Sequence, residues 1–204
     1  MDDKKLQQRY KNKVSNAQGQ HFEGYIKAGC INYRNVGRGE IEKTPEPFRV
    51  ISKDKTGKFT GRFTREHAQP DFKGVLKRGI CICFEAKCTL KDNIKRNVLT
   101  DTQLETLERY YKMGAVTGVC VCIQDKFYFI PFLVWNKMKS CFGRQYITQE
   151  DVKRFEIKFN GAVLFLDYIT KDEKILNENY SLLRRKFENE IDDNIQISEG
   201  IKCF

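Results

Sequence analysis

No stretch of apolar residues in this chain approaches the roughly 18–20 needed to cross a bilayer as a helix. A helical membrane protein is therefore not expected. The N-terminus, MDDKKLQQRYKNK, lacks the apolar core of a secretory signal, so the expected location is cytoplasmic. Without export, the eight cysteines are not expected to form disulfides. No repeat occurs at solenoid spacing, and no segment is of low complexity. Neither sign of charge crowds out the other: 37 Lys or Arg face 27 Asp or Glu, and 40% of residues are hydrophobic, which excludes global disorder. Tryptophan is scarce, and the single one, Trp135, is expected in the core.

What is present points to one domain of mixed character. The 204 residues fit one typical domain, and 12% aromatics supply a real core. The formal net charge is +10. Residues 171–204 hold six Lys or Arg against eight Asp or Glu, so the upstream body carries the whole positive excess. A basic body suits phosphate contacts and counterion release, although charge of this size also serves solubility.

The most informative pattern is Pro70-Asp71, then thirteen residues, then Glu85-Ala86-Lys87. Glu85 and Lys87 lie in ICICFEAK, which reads as a strand, and residues two apart on a strand share a face. If Asp71 lies on the partner strand of a hairpin, both carboxylates reach one hard cation. Asp71, Glu85 and a main-chain carbonyl at Ala86 would suffice for magnesium, which keeps several waters. Lys87 would then stabilise developing negative charge. On its own the pattern also fits a solvated, salt-bridged strand end.

The flanking sequence adds GQHFE (19–23), EKTPEP (42–47), QPDFKG (69–74), FEAKCT (84–89) and TQLETL (102–107). This order resembles the RecU-type Holliday-junction resolvases, a branch of the PD-(D/E)XK nuclease superfamily, over residues 17–169. Pro70, Cys83 and Thr102 stand where that family often has Thr, Asp and His, but the carboxylates and the lysine remain. The resemblance implies a restriction-endonuclease-like α/β core: a mixed central sheet flanked by helices. It implies that Asp71 and Glu85 bind metal, that Lys87 is catalytic, and that Glu23 and Gln103 complete the site. It also implies magnesium, with manganese as a possible substitute, a homodimer, branched DNA as substrate, and other recombination proteins as possible partners. A restriction-like or flap-cutting endonuclease and a non-catalytic junction-binding protein are the alternatives.

The remaining segments are read by pattern. Residues 1–16 look like a polar, flexible basic arm, and Gly19 to Tyr33 like a helix with a buried stripe at Phe22, Ile26, Cys30 and Tyr33. Glu23 can serve there simply as a first-turn acid at the helix dipole. Lys43 either approaches the site or is an exposed edge charge. Residues 48–68 read as a protruding hairpin around Asp54 to Gly57. Lys53, Lys55, Lys58, Arg62 and Arg65 stud it, with Phe59 and Phe63 interleaved, a combination suited to phosphates and unstacked bases. An ordinary basic hairpin with its Phe residues facing the core has the same pattern. In the resembled family this position is a stalk entering the branch point.

Thr89 to Val98 reads as a basic loop, either solvated or in contact with phosphate. Leu99 to Met113 reads as a helix with capping boxes at Thr100/Gln103 and Thr102/Glu105. Gln103 has two readings there, capping partner or contact to water or phosphate. Val116–Ile123 and Phe127–Phe132 read as a buried hairpin, Val134 to Cys141 and the start at Thr148 as helices, and Gly161 to Ile169 as a last strand. Residues 170–204 form a charged helical extension with Leu176, Tyr180, Leu183 and Phe187 in a stripe. Cys81-Ile82-Cys83 and Cys120-Val121-Cys122 either converge on a structural metal or are buried free thiols.

Overall fold

The computed structural model describes residues 3–45, 48–63 and 69–184, with side chains described throughout except at 3–12, 48, 49 and 63. The long helix α1 (Asp3–Asn35) runs through the segment expected to be a flexible arm. Its early residues are mostly Lys, Gln, Arg, Leu and Asn, and several of these are strong helix formers that need no apolar stripe. From Phe22 onward the expected stripe is buried, with Phe22, Ile26, Cys30 and Tyr33 all 5% exposed or less.

After α1 come β1 (Gly39–Lys43), β2 (Phe48–Lys53), β3 (Phe59–Phe63), β4 (Phe72–Leu76) and β5 (Ile80–Thr89). Then follow β6 (Asn93–Lys95), α2 (Asp101–Lys112), β7 (Val116–Ile123) and β8 (Lys126–Pro131). The chain continues with α3 (Phe132–Asn136), α4 (Met138–Phe142), β9 (Tyr146–Thr148), β10 (Ile157–Phe159), β11 (Val163–Tyr168) and α5 (Glu173–Leu183).

The central five-stranded sheet has the order β1-β4-β5-β7-β8. Only β5 and β7 pair in parallel, because α2 carries the chain across between them. The other neighbours are antiparallel, so the sheet is mixed and flanked by helices, as expected. Every residue of β7 is buried, the mark of a strand covered on both faces.

Phe72 and Phe84 sit directly opposite and stack at 5.2 Å. Phe84 also meets Phe129 at 5.2 Å and Phe165 of β11 at 4.8 Å. Burying each such ring stabilises the fold by roughly 1.5–3 kcal/mol. On this face the Tyr33 hydroxyl donates to Asp167 at 2.8 Å and accepts from the Leu166 N–H at 3.0 Å, tying α1 to β11. Gly29 lets the two meet: a Cβ there would lie 2.1 Å from the Val163 carbonyl oxygen. The opposite face of β5 and β7 is covered by α2 and α3.

The two Cys-x-Cys pairs lie on neighbouring strands but do not converge. Cys83 sits opposite Thr117, whereas Cys120 sits opposite Ala86. Strand alternation therefore sends them to opposite faces of the sheet. The seven described cysteines are free thiols, and Cys203 lies outside the described residues.

Other segments depart from the sequence reading in detail. The expected helix 134–141 is two short helices separated at Lys137. Thr148 ends β9 rather than starting a helix, because the Asp151 carboxylate accepts from the Thr148 N–H at 2.8 Å and folds a turn. The basic stretch after β5 contains β6 and a single 3-10 turn at Arg96–Val98. The expected last strand is present and largely buried as β11, and it pairs with β10 in a separate small sheet. At the C-terminal end, Asp172 caps α5, accepting from the Lys174 and Ile175 N–H groups. Leu183 is buried and Leu176 partly so, while Phe187 lies outside the described residues. Among the described residues no helix is long and apolar enough to cross a membrane.

Candidate active site

The β4–β5 ladder ends at the Phe72–Phe84 pair. Beyond it β5 continues through Glu85, Ala86 and Lys87 while the other chain turns away at Asp71. The site lies at this fork. The Ala86 N–H, which has no further ladder partner on this side, donates to Asp71 Oδ2 at 2.9 Å. Within a strand a residue's N–H and C=O project to the same side, so the Ala86 carbonyl is aimed toward Asp71 too. Asp71 is held from its other flank by its own carbonyl, which accepts from the Thr44 N–H at 2.8 Å.

Glu85 and Lys87 share the face covered by α2. Lys87 Nζ lies 3.5 Å from Glu85 Oε2 and 4.0 Å from Asp71 Oδ2. Glu85 is only 1% exposed, with Val119 directly beside it on β7. Burial, and next the Asp71 carboxylate, push the Glu85 carboxyl up to about 8, with Lys87 opposing both. Two carboxylates share one lysine here, and one of them is dry, so the site is short of positive charge.

The capping box of α2 completes the site. Thr100 accepts from the Gln103 N–H, and Gln103 Oε1 accepts from the Thr100 N–H at 3.1 Å. The other end of the same amide, Nε2, donates to Glu85 Oε2 at 2.5 Å. The two readings of Gln103 thus combine: it caps the helix and holds the carboxylate.

Asp71, Glu85, Ala86, Lys87 and Gln103 therefore meet. Glu23 does not join them directly. It forms an ion pair with Lys43, and the two bridge α1 to β1 next to Asp71's strand. Sequence reasoning passed over Thr44. Besides holding Asp71, its hydroxyl is buried without a hydrogen-bond partner among the described residues. The tripeptide Lys43-Thr44-Pro45 was the available signal.

The hairpin of β2 and β3 forms its own two-stranded sheet. Asp54 builds its turn by accepting from the Thr56 and Lys58 N–H groups at 2.9 and 3.0 Å. Lys53, Lys55, Lys58 and Arg62 are exposed, and Phe59 is 56% exposed, so that ring does not face the core. The Phe63 backbone closes the ladder opposite Phe48. Arg65 lies outside the described residues.

The donor set suits a hard divalent cation. Among the described residues no three His, Cys, Asp or Glu side chains converge, so the side-chain donors are the two carboxylates. Two carboxylates with a carbonyl offer oxygen donors alone, the kind that hard divalent cations take.

The sequence matches the protein family described as RecU, Recombination protein U, over residues 17–173. Among solved structures it is similar to Hjc, a Holliday junction resolvase of the archaeal hyperthermophile Archaeoglobus fulgidus. That likeness has 13% identity and a TM-score of 0.39, and covers 63% of this chain and 88% of that one. No curated protein matches the chain. With 157 of its 204 residues matched in one continuous span, the chain belongs to the Recombination protein U family.

Proposed function

We propose that this protein is a metal-dependent, structure-selective DNA endonuclease that resolves four-way junctions by hydrolysing phosphodiester bonds during recombination and repair. The observation that carries the reading is the convergence of Asp71, Glu85 and Lys87 at the β4–β5 fork. Family membership supports branched DNA as the substrate.

Asp71, Glu85 and the Ala86 carbonyl would hold magnesium, or manganese in its place, and the bound ion would polarise the scissile phosphate and acidify an attacking water. The Ala86 N–H fixes the Asp71 carboxylate. Gln103 fixes Glu85 in one rotamer from a rigid helix start. Lys87 presents a cation to negative charge growing on the phosphate oxygens. Glu23 orients Lys43 at the flank, where its ammonium meets a neighbouring phosphate. The hairpin enters the branch point: Lys53, Lys55, Lys58, Arg62 and Arg65 hold phosphates, and Phe59 and Phe63 stack on bases. Two symmetric cuts require two sites, and a two-fold homodimer supplies them.

The test is cleavage by Asp71→Ala and Glu85→Ala beside junction binding. Each variant should lose cleavage and keep binding. Full cleavage by either one would refute the assignment.

A further inference from the structure

A small open cleft lies in the segment just before α2. It encloses about 300 Å³ and is lined by Lys95, Arg96, Asn97 and Gln145. None of these is acidic, and all four side chains donate hydrogen bonds. The frame is rigid. β6 pairs with β9, the Arg96 N–H donates to the Gln145 carbonyl at 2.9 Å, and Ile94, Leu99 and Ile147 anchor both sides in the core. The Arg96 guanidinium is aimed by a neutral partner, donating to Asn136 Oδ1 at 2.9 Å. Its charge is therefore not cancelled. Among the described residues neither Lys95 nor Arg96 has an ion-pair partner.

The position gives the cleft a role. Asn97 precedes the Thr100 cap by three residues, a reach of at most ~10 Å. From that cap Gln103 touches Glu85. An anion in the cleft would be tied to the carboxylates through the Thr100 cap and Gln103.

Resting on the nuclease reading above, we infer that this cleft binds a backbone phosphate of the strand being cut, a few nucleotides from the scissile bond, and so sets the register of the cut. Lys95 supplies a point charge, Arg96 a planar fork, and the two amides supply neutral donors to phosphate or sugar oxygens. No base edge is read.

The test uses full-length protein with Lys95→Gln and the double change Lys95→Gln/Arg96→Gln. Junction binding is measured without divalent metal across a salt series, and cut positions are mapped with magnesium. The double variant should bind about three- to tenfold more weakly, with its log–log salt slope reduced by about two, and its cuts should spread to neighbouring phosphates. Lys95→Gln alters an exposed side chain and should lower the slope by about one even if loss of the Arg96–Asn136 bond unfolds the double variant. Wild-type affinity, slope and cut positions in Lys95→Gln would overturn the inference. Failure of the nuclease reading shows elsewhere, as wild-type protein that leaves junctions uncut, and it would overturn the inference with it.

Discussion

Gln103 uses both ends of one amide: its oxygen accepts from the Thr100 N–H, and its nitrogen donates to Glu85. The start of α2 and the buried carboxylate are thereby fixed to each other. A loop could not place Glu85 so firmly, because the helix start is itself tied down by two reciprocal bonds.

The two duties separate by substitution. Gln103→Glu keeps a capping-box residue but removes the donor to Glu85. It should leave the helix cap intact and lower the cleavage rate about tenfold or more. Gln103→Ala loses both bonds and should also cost about 1 kcal/mol of stability. Thermal melts beside cleavage rates check this. Wild-type rates in Gln103→Glu would contradict the positioning role.

Metal-free stability should depend on pH through Glu85. Its carboxyl ordinarily titrates near 4.5 and is raised to about 8 in the fold, first by burial and then by Asp71. The folded state therefore holds this proton more tightly than the unfolded chain. The stabilisation is complete below about 4.5 and is lost as pH rises to about 8. The loss is on the order of a few kcal/mol. In metal-free melts, Glu85→Gln should flatten the decline across this window. An equally steep decline in the variant would refute the assignment of the proton to Glu85.

Lys87 lies near both carboxylates. Lys87→Met should cut the rate by about a hundredfold or more while junction binding persists. Without that cation the Glu85 carboxyl should hold its proton to a still higher pH, so the fall of metal-free stability with pH should extend further than in the wild type. Single-turnover cleavage and melts check both effects.

The hairpin should govern substrate shape rather than chemistry. Replacing Lys55, Lys58 and Phe59 together by Ala should weaken junction binding, with each lost stack costing roughly 1–3 kcal/mol. Binding to linear duplex should change far less. Equal losses on both DNAs would show that the hairpin does not enter the branch.

Gly29→Ala tests how α1 meets β11. Its Cβ would lie 2.1 Å from the Val163 carbonyl oxygen. Backbone must move apart, at about 1–3 kcal/mol, visible as a lowered melting temperature.

Much of this was readable from local pattern. β5, β7, β8, the α2 cap and the β2–β3 turn each rest on alternation or on capping and turn residues, which act over a few positions. The pairing of Asp71 with Glu85 followed from one hairpin. What the sequence hid was tertiary. The early part of α1 has helix formers but no stripe, so it read as an arm. Glu23 meets Lys43 only because α1 packs on β1. Whether the two Cys-x-Cys pairs share a face depends on the β5–β7 register, and a one-residue difference reverses the face. Lys95 and Arg96 looked like loop charge because three-residue strands such as β6 carry too little pattern to see.

The most direct test is cleavage of a labelled mobile four-way junction by wild-type protein, with and without magnesium, beside a linear duplex of matched sequence. The account predicts paired, symmetric nicks on the junction alone, and only with the metal. Binding without cuts, or equal cutting of the linear duplex, would contradict it.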